Sequence, residues 1–265
     1  MAKWNASEYR KNSQNQYRWG IELIKKARIK KGDNVLDIGC GDGKITAVIQ
    51  KAAGKGKVTG IDSSASMIRL AGQVFPAANN LNPRFIKKDA KSIDFKGIYD
   101  IAFSNACLHW IHGHDKVLKG VNKALKPGGR IFFQMGGRGN AGIMNKKMTE
   151  LTKRGEWKEY FKGFKFPYFF PSPAEYKALL KRNGFKPVKV SIIPKIALHK
   201  GYEGLFMWLK TTWLPYTQRV PAAKRNKFIR AAALGFMEET GQMNKTAVKM
   251  VMKRLQVEAV KTLKK

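Results

Sequence analysis

The chain has 265 residues, 43% of them hydrophobic, and carries 52 Lys and Arg against 18 Asp and Glu for a formal net charge of +34. That length suits one large α/β domain with an elaborated cap, and the composition is that of a globular protein, not a disordered or collagenous one. No apolar run is long enough for a signal-peptide core or a bilayer span. The two cysteines, Cys40 and Cys107, argue against a disulfide framework and for a reducing, cytoplasmic setting.

So large a positive charge attracts polyanions, and nonspecific nucleic-acid binding at low salt is expected. Its distribution argues against a dedicated binding face. Residues 1–140 hold 25 basic and 10 acidic residues, and residues 141–265 hold 27 and 8. Lysines outnumber arginines 39 to 13, whereas forked recognition of phosphates and bases favours arginine. A diffuse lysine excess reads as a solvated surface. All eight aspartates lie between Asp33 and Asp115, which concentrates carboxylates in one part of the fold.

In chain order, residues 5–31 predict an N-terminal helical segment with Tyr17, Ile21, Leu23 and Ile24 on one face, stopped by Lys30-Lys31-Gly32-Asp33. A first strand follows at about 34–38. Gly39, Gly41 and Gly43 then alternate before a helix at about 44–52. Lys57 to Ile61 reads as strand two, and Ser63 or Ser64 caps a helix running to about Phe75. Strands three and four are placed at Pro83 to Lys87 and Tyr99 to Ser104. A helix from His114 to Leu125 ends at Lys126-Pro127-Gly128-Gly129, and Arg130 to Met135 forms strand five. Beyond it the spacing predicts a loop at Gly136–Gly139 and mostly helix over 141–182, interrupted by aromatics from Phe161 to Pro173. A sixth strand at Val188 to Ile193, helices at 203–213 and 222–239, and a long closing strand at 247–260 complete the chain.

Strands alternating with helices imply a doubly wound, mostly parallel sheet with ligands at the carboxyl ends of its strands. The glycine spacing then narrows the ligand. A dinucleotide fingerprint needs its third glycine one position later, where this chain has Lys44. With Asp37 two places before the first glycine, Asp37-Ile38-Gly39-Cys40-Gly41-Asp42-Gly43 resembles the first motif of class I S-adenosylmethionine-dependent methyltransferases. The resemblance implies a seven-stranded Rossmann-like α/β sheet with a helical cap inserted after strand five. It also implies S-adenosyl-L-methionine as cofactor, with S-adenosyl-L-homocysteine as product. A single domain over 1–265 is expected, with a lid helix at about 1–32, a cofactor-binding core at 33–135 and a cap with the closing strands at 136–265.

The resemblance also distributes roles. Asp37, Gly39, Cys40, Gly41 and Gly43 would form the cofactor loop. Asp62, 21 positions after Gly41, could accept both ribose hydroxyls, or it could simply begin the next helix turn. Ser63 and Met67 would flank the adenine, although a lone Met also suits a core. Asp89 and Ala90 would meet the adenine edge, unless Asp89 is a solvated loop carboxylate. Asn105 and Ala106 would line the methionine moiety.

The sequence Leu108-His109-Trp110, together with Tyr9, Asn12-Ser13 and Gln16, is similar to a narrower group: the trans-aconitate, malonyl-carrier-protein and juvenile hormone acid methyltransferases, which methylate carboxylates. That likeness is well marked over residues 7–135 and loose beyond. It would have Gln16 and Trp110 hold the acceptor carboxylate or the cofactor tail, with Gln14 competing for the Gln16 position. His109 admits three roles: a donor orienting a carboxylate, a base for a hydroxyl or amine, or packing beside Trp110. A carboxylate is already ionised near neutrality and needs no base.

Phe166, Tyr168, Phe169 and the Thr211–Arg219 stretch could wall an apolar pocket, with Arg219 pairing an acid group. His199, Lys264 and Lys265 read as surface. His112 and His114 have no metal-ligand spacing around them, so no metal site is expected. Two other readings remain: an RNA methyltransferase using the basic surface, and a cofactor-binding protein without catalysis. The first lacks an Asn-Pro-Pro-aromatic motif, since Ser104-Asn105-Ala106-Cys107 stands in its place.

Overall fold

The computed structural model describes residues 4–76 and 83–263; the predicted surface residues Lys264 and Lys265 lie outside them. Two compact units emerge from the chain. Among the described residues, a sheet unit comprises 14–76, 83–138, 168–193 and 254–263, and a helical unit comprises 4–13, 139–167 and 194–253.

The N-terminal segment forms two helices, α1 (Ala6–Asn12) and α2 (Gln14–Ala27), rather than one. Then come β1 (Val35–Ile38), α3 (Lys44–Ala53), β2 (Val58–Asp62), α4 (Ala65–Val74), β3 (Arg84–Lys87), β4 (Tyr99–Asn105), α5 (His114–Ala124) and β5 (Leu125–Gly136). α5 stops at Ala124, ahead of the expected stop at Lys126-Pro127-Gly128-Gly129, which lies within β5. The irregularity is taken up as a register shift against β4, between Tyr99 and Ile101. The remaining elements are α6 (Gly142–Thr152), α7 (Pro173–Arg182), β6 (Phe185–Lys200), α8 (Gly201–Thr212), α9 (Leu214–Thr217), α10 (Ala222–Glu239) and β7 (Ala247–Lys261).

The strands form one seven-stranded sheet in the order β3-β2-β1-β4-β5-β7-β6. β3, β2, β1, β4 and β5 pair in parallel, and β7 runs antiparallel to β5. Alternation along the strands explains the two apolar layers. Leu36, Ile38, Ala102, Ile131 and Phe133 share a core with Val117, Leu118 and Val121 of α5 and Leu180 of α7. Val35, Ile101, Phe103 and Phe132 face the other way, onto Leu23 and Ala27 of α2 and Ile49 of α3. Each fully buried aliphatic side chain contributes about 1.5–3 kcal/mol, so both layers hold the strand ends firmly. Ser172 and Glu175 form a capping box that starts α7.

Within the helical unit, α10 packs on α6 and α8, and α1 lies along α8. Its core is aromatic: Trp157, Phe161 and Phe228 meet at centroid separations of 5.2 and 5.6 Å. His199 is a correction to the surface reading. It is only 6% exposed, with its ring 4.9 Å from Trp208, and burial pushes its pKa down to about 4. Among the described residues, no helix is long and apolar enough to cross a membrane, and no cluster of three metal-ligating side chains occurs.

Candidate active site

β1 is buried at all four positions, so the loop that follows leaves from a fixed point. The amides of Gly39 and Cys40 both donate to the carbonyl of Ile61, at 2.7 and 3.0 Å, tying the loop to the end of β2. The three glycines all have positive φ but serve different ends. A Cβ at Gly39 would collide with the Cys107 side chain, so Gly39 lets the turns after β1 and β4 touch. A Cβ at Gly41 would have no atom within 4 Å: the space beside it is open to a ligand. Gly43 closes against Phe85 and caps α3.

Asp62 joins two turns. Its Oδ2 accepts from the Gly41 amide at 3.1 Å, and its Oδ1 accepts from the Ser64 amide at 2.8 Å. Each oxygen retains a further acceptor direction, which suits a ribose diol. Burial raises its pKa against those two hydrogen bonds. Ser64, not Ser63, caps α4, accepting from the Met67 amide, while Ser63 is exposed and Met67 is buried. Asp37 is 2% exposed and lies beneath the loop, its Oδ2 accepting from Thr46 Oγ1 at 2.7 Å; burial pushes its pKa up to about 7. Asp89 caps the short 3₁₀ turn at Ala90–Ser92 by accepting from the Lys91 amide at 2.8 Å, and Ala90 is buried beneath it. Burial first, and then the neighbouring Asp37 and Asp62, keep the Cys40 thiol protonated.

At the end of β4, Asn105 Nδ2 donates to the carbonyl of Gln16 at 2.9 Å, joining α2 to this edge of the sheet. Ala106 adopts φ +56°, an unfavourable conformation for a residue with a Cβ, and its amide donates to Gln134 at 2.8 Å. Asn105 Oδ1 and Gln16 Oε1 are both buried without a hydrogen-bond partner among the described residues. A buried orphan acceptor is costly unless something donates to it. The open space at Gly41, the diol-ready Asp62 and these two acceptors fit a ligand carrying a nucleoside and an ammonium group.

Next to them, His109 is 9% exposed, with ring centroids of Trp110, Tyr168 and Phe170 at 5.6, 6.2 and 6.0 Å. The Phe169 amide donates to its carbonyl at 2.9 Å, which fixes the aromatic segment over it. Its Nδ1 is buried and has no partner among the described residues. Burial chiefly, and then the Arg254 charge, hold His109 well below its ordinary pKa, so it is neutral at pH 7.

Comparison with known proteins accords with this geometry. Residues 35–129 match the model of a methyltransferase domain. The chain is 31% identical over 205 residues to a trans-aconitate 2-methyltransferase of Deinococcus radiodurans, covering 74% of this chain and 75% of that protein. It is 31% identical over 191 residues to an uncharacterised methyltransferase of Schizosaccharomyces pombe, covering 69% and 70%. The chain belongs to the class I S-adenosylmethionine-dependent methyltransferases. Its fold matches a loganic acid methyltransferase solved with SAH at a TM-score of 0.76 over 99% of both chains, with 13% identity.

This methyltransferase uses S-adenosylmethionine, and the residues that could hold it come from β1, β2, β3, β4 and α2. The structure joins Gly41 to Asp62, sets Gly39 against Cys107 and ties Asn105 to Gln16, and it redistributes the expected pocket aromatics. Tyr168 lies beside His109, its ring tilted 38° to the imidazole, but Phe169 packs on His114 at 4.5 Å. Phe166 is 46% exposed and belongs to the helical unit. Arg219, expected to pair an acid, instead lies 5.0 Å from the Phe164 ring and donates to the Tyr160 carbonyl at 3.2 Å. His114 is structural: its ring nitrogens meet Tyr176 Oη and the Leu108 carbonyl at 3.2 and 3.0 Å. Sequence reasoning missed Trp19 and Arg254. A signal for Arg254 existed: it continues the inward parity of Val248, Met250 and Met252 on β7, where an arginine is unexpected.

Proposed function

We propose that this methyltransferase esterifies a small carboxylic acid. The observation that carries the reading is His109: the histidine beside the cofactor loops is sealed among three aromatic rings and neutral, with its basicity depressed. Such a ring is a poor base for a hydroxyl or an ammonium group, but a carboxylate arrives without a proton to lose. The trans-aconitate methyltransferases among its relatives support the same acceptor class.

In this reading Asp62 takes the ribose hydroxyls, Ser63 and Met67 flank the adenine, and Asp89 with the Ala90 amide meets its edge. Gln16 Oε1 and Asn105 Oδ1 accept from the ligand ammonium. Trp110 and His109 orient the acceptor, and the rings over His109 exclude water, which strengthens the electrostatics of the site. When bound, S-adenosylmethionine would supply an activated methyl group to the carboxylate oxygen, leaving as the neutral thioether S-adenosylhomocysteine, and no proton would have to be removed. The residues of the chain therefore act by alignment, an effect that can lower a barrier by about 7–11 kcal/mol.

The test is methyl transfer from radiolabelled S-adenosylmethionine into trans-aconitate, cinnamate and laurate. A base-labile labelled ester is expected. Label that appears only in RNA or in an alcohol, with no acid esterified, would overturn the reading.

A further inference from the structure

We infer that Arg254 binds the acceptor carboxylate, an assignment that rests on the carboxyl-methylation reading above. Arg254 stands on β7 opposite Gly136, at the carboxyl end of β5, the end of the sheet where the glycine loop and Asn105 also lie. It is 2% exposed, so a full positive charge is held where water is scarce. Its guanidinium lies 5.3 Å from the Trp19 ring centroid. Trp19 is one helical turn from Gln16, whose carbonyl accepts from Asn105, and the intervening surface is tight: a Cβ on the adjacent Gly20 would sit 2.9 Å from Asn105 Nδ2. Arg254 is thereby linked through one turn of α2 to the residues that line the cofactor berth. Its field also reaches His109, the residue read as orienting the acceptor.

Three physical points make this group a carboxylate receptor. A cation in a low-dielectric site attracts an anion far more strongly than it would in water. The guanidinium presents two parallel N–H donors that match the two carboxylate oxygens, which an ammonium cannot do. The Trp19 ring beside the guanidinium restrains it, so less freedom is lost when the acid binds. The consequence is selectivity. An alcohol or amide of the same shape brings no counter-charge, so Arg254 favours acids before any chemistry occurs.

The test compares wild type with Arg254→Gln and Arg254→Lys. Calorimetry reads the binding of trans-aconitate, cinnamate and laurate in the presence of S-adenosylhomocysteine, and equilibrium dialysis reads S-adenosylmethionine uptake. For an acid that wild type binds, the Gln variant should bind about 100-fold more weakly, with cofactor uptake unchanged. The Lys variant should recover part of that loss because it restores charge without the fork. KM for the acid should rise in step, with kcat altered far less. Equal acid affinity in wild type and the Gln variant would overturn the assignment, while ester formation by wild type would leave the carboxyl-methylation reading standing. Arg254-dependent acid binding with no ester formed would overturn that reading and Arg254's acceptor role with it, leaving Arg254 a carboxylate-binding residue. Failure of wild type to bind any of the acids would overturn both. If both variants lose cofactor uptake, Arg254 is a framework residue and the assignment fails.

Discussion

The proposed cofactor side and the proposed acceptor side of the site are built in contrasting ways. On the cofactor side, the Gly39–Gly43 loop, Asp62 and the Asp89 turn each lie at the end of one strand and are held by local hydrogen bonds. On the acceptor side, His109, Tyr168, Trp19 and Arg254 come from four distant parts of the chain and meet only through the sheet and its helices. The difference teaches why one reaction type can be shared across relatives while acceptors vary. The first half is set by backbone geometry, and the second by side chains that can change singly.

Substitutions can break that contrast. The largest effect is expected from Gly41→Val, which adds a β-branched side chain to a residue at φ +53° and fills the open space beside it. Uptake of S-adenosylmethionine should fall by about 100-fold or more. Equilibrium dialysis on a variant with an unchanged circular dichroism spectrum checks this, and retained uptake would mean the loop is not the berth. Asp62→Ala should weaken uptake by about 10- to 100-fold, corresponding to roughly 1.5–3 kcal/mol for hydrogen bonds to a charged group. Unaltered affinity by calorimetry would count against the ribose assignment.

His109→Ala should leave cofactor affinity as it is and lower kcat by about tenfold through lost alignment. Because folded His109 is held well below its ordinary pKa, the kcat profile should keep its shape between pH 6 and 8. Disappearance of a titration in that window would restore a basic role for His109. The smallest effect concerns the helical unit. Burial lowers the pKa of His199 from 6.5 to about 4, so the unfolded chain takes up its proton first and stability falls as pH drops from about 6.5 to 4. His199→Phe, which keeps a ring beside Trp208, should flatten that decline in denaturant titrations without moving cofactor uptake.

The same contrast explains what could be read in the chain. The glycine spacing, Asp62 and the strand-end positions were legible because backbone constraints leave a residue-type signature at fixed spacing. The closing strand was legible from its alternation, and α10 from its periodicity. The capping choice between Ser63 and Ser64 was not legible, because both fit the pattern and only the carboxylate of Asp62, accepting from the Ser64 amide, selects between them. Arg219 and His199 misled for one reason: chemical type was read as role, whereas the helical unit uses one on backbone carbonyls and buries the other. The sixth strand is longer than its apolar run, since β6 continues to Lys200 with exposed Ile196, Leu198 and Lys200 alternating with buried Ala197 and His199. The packing of Trp19 against Arg254 joins residues more than two hundred positions apart and has no local trace.

Asp62 carries a thermodynamic corollary. Since one carboxylate already fastens the amides of Gly41 and Ser64, the proposed nucleoside seat is shaped in advance in the free polypeptide. The ordering cost falls on the folding transition, not on the docking event. Calorimetric uptake of the nucleoside should therefore show a heat-capacity change set by the apolar surface of the ligand alone, with no added contribution from loop ordering.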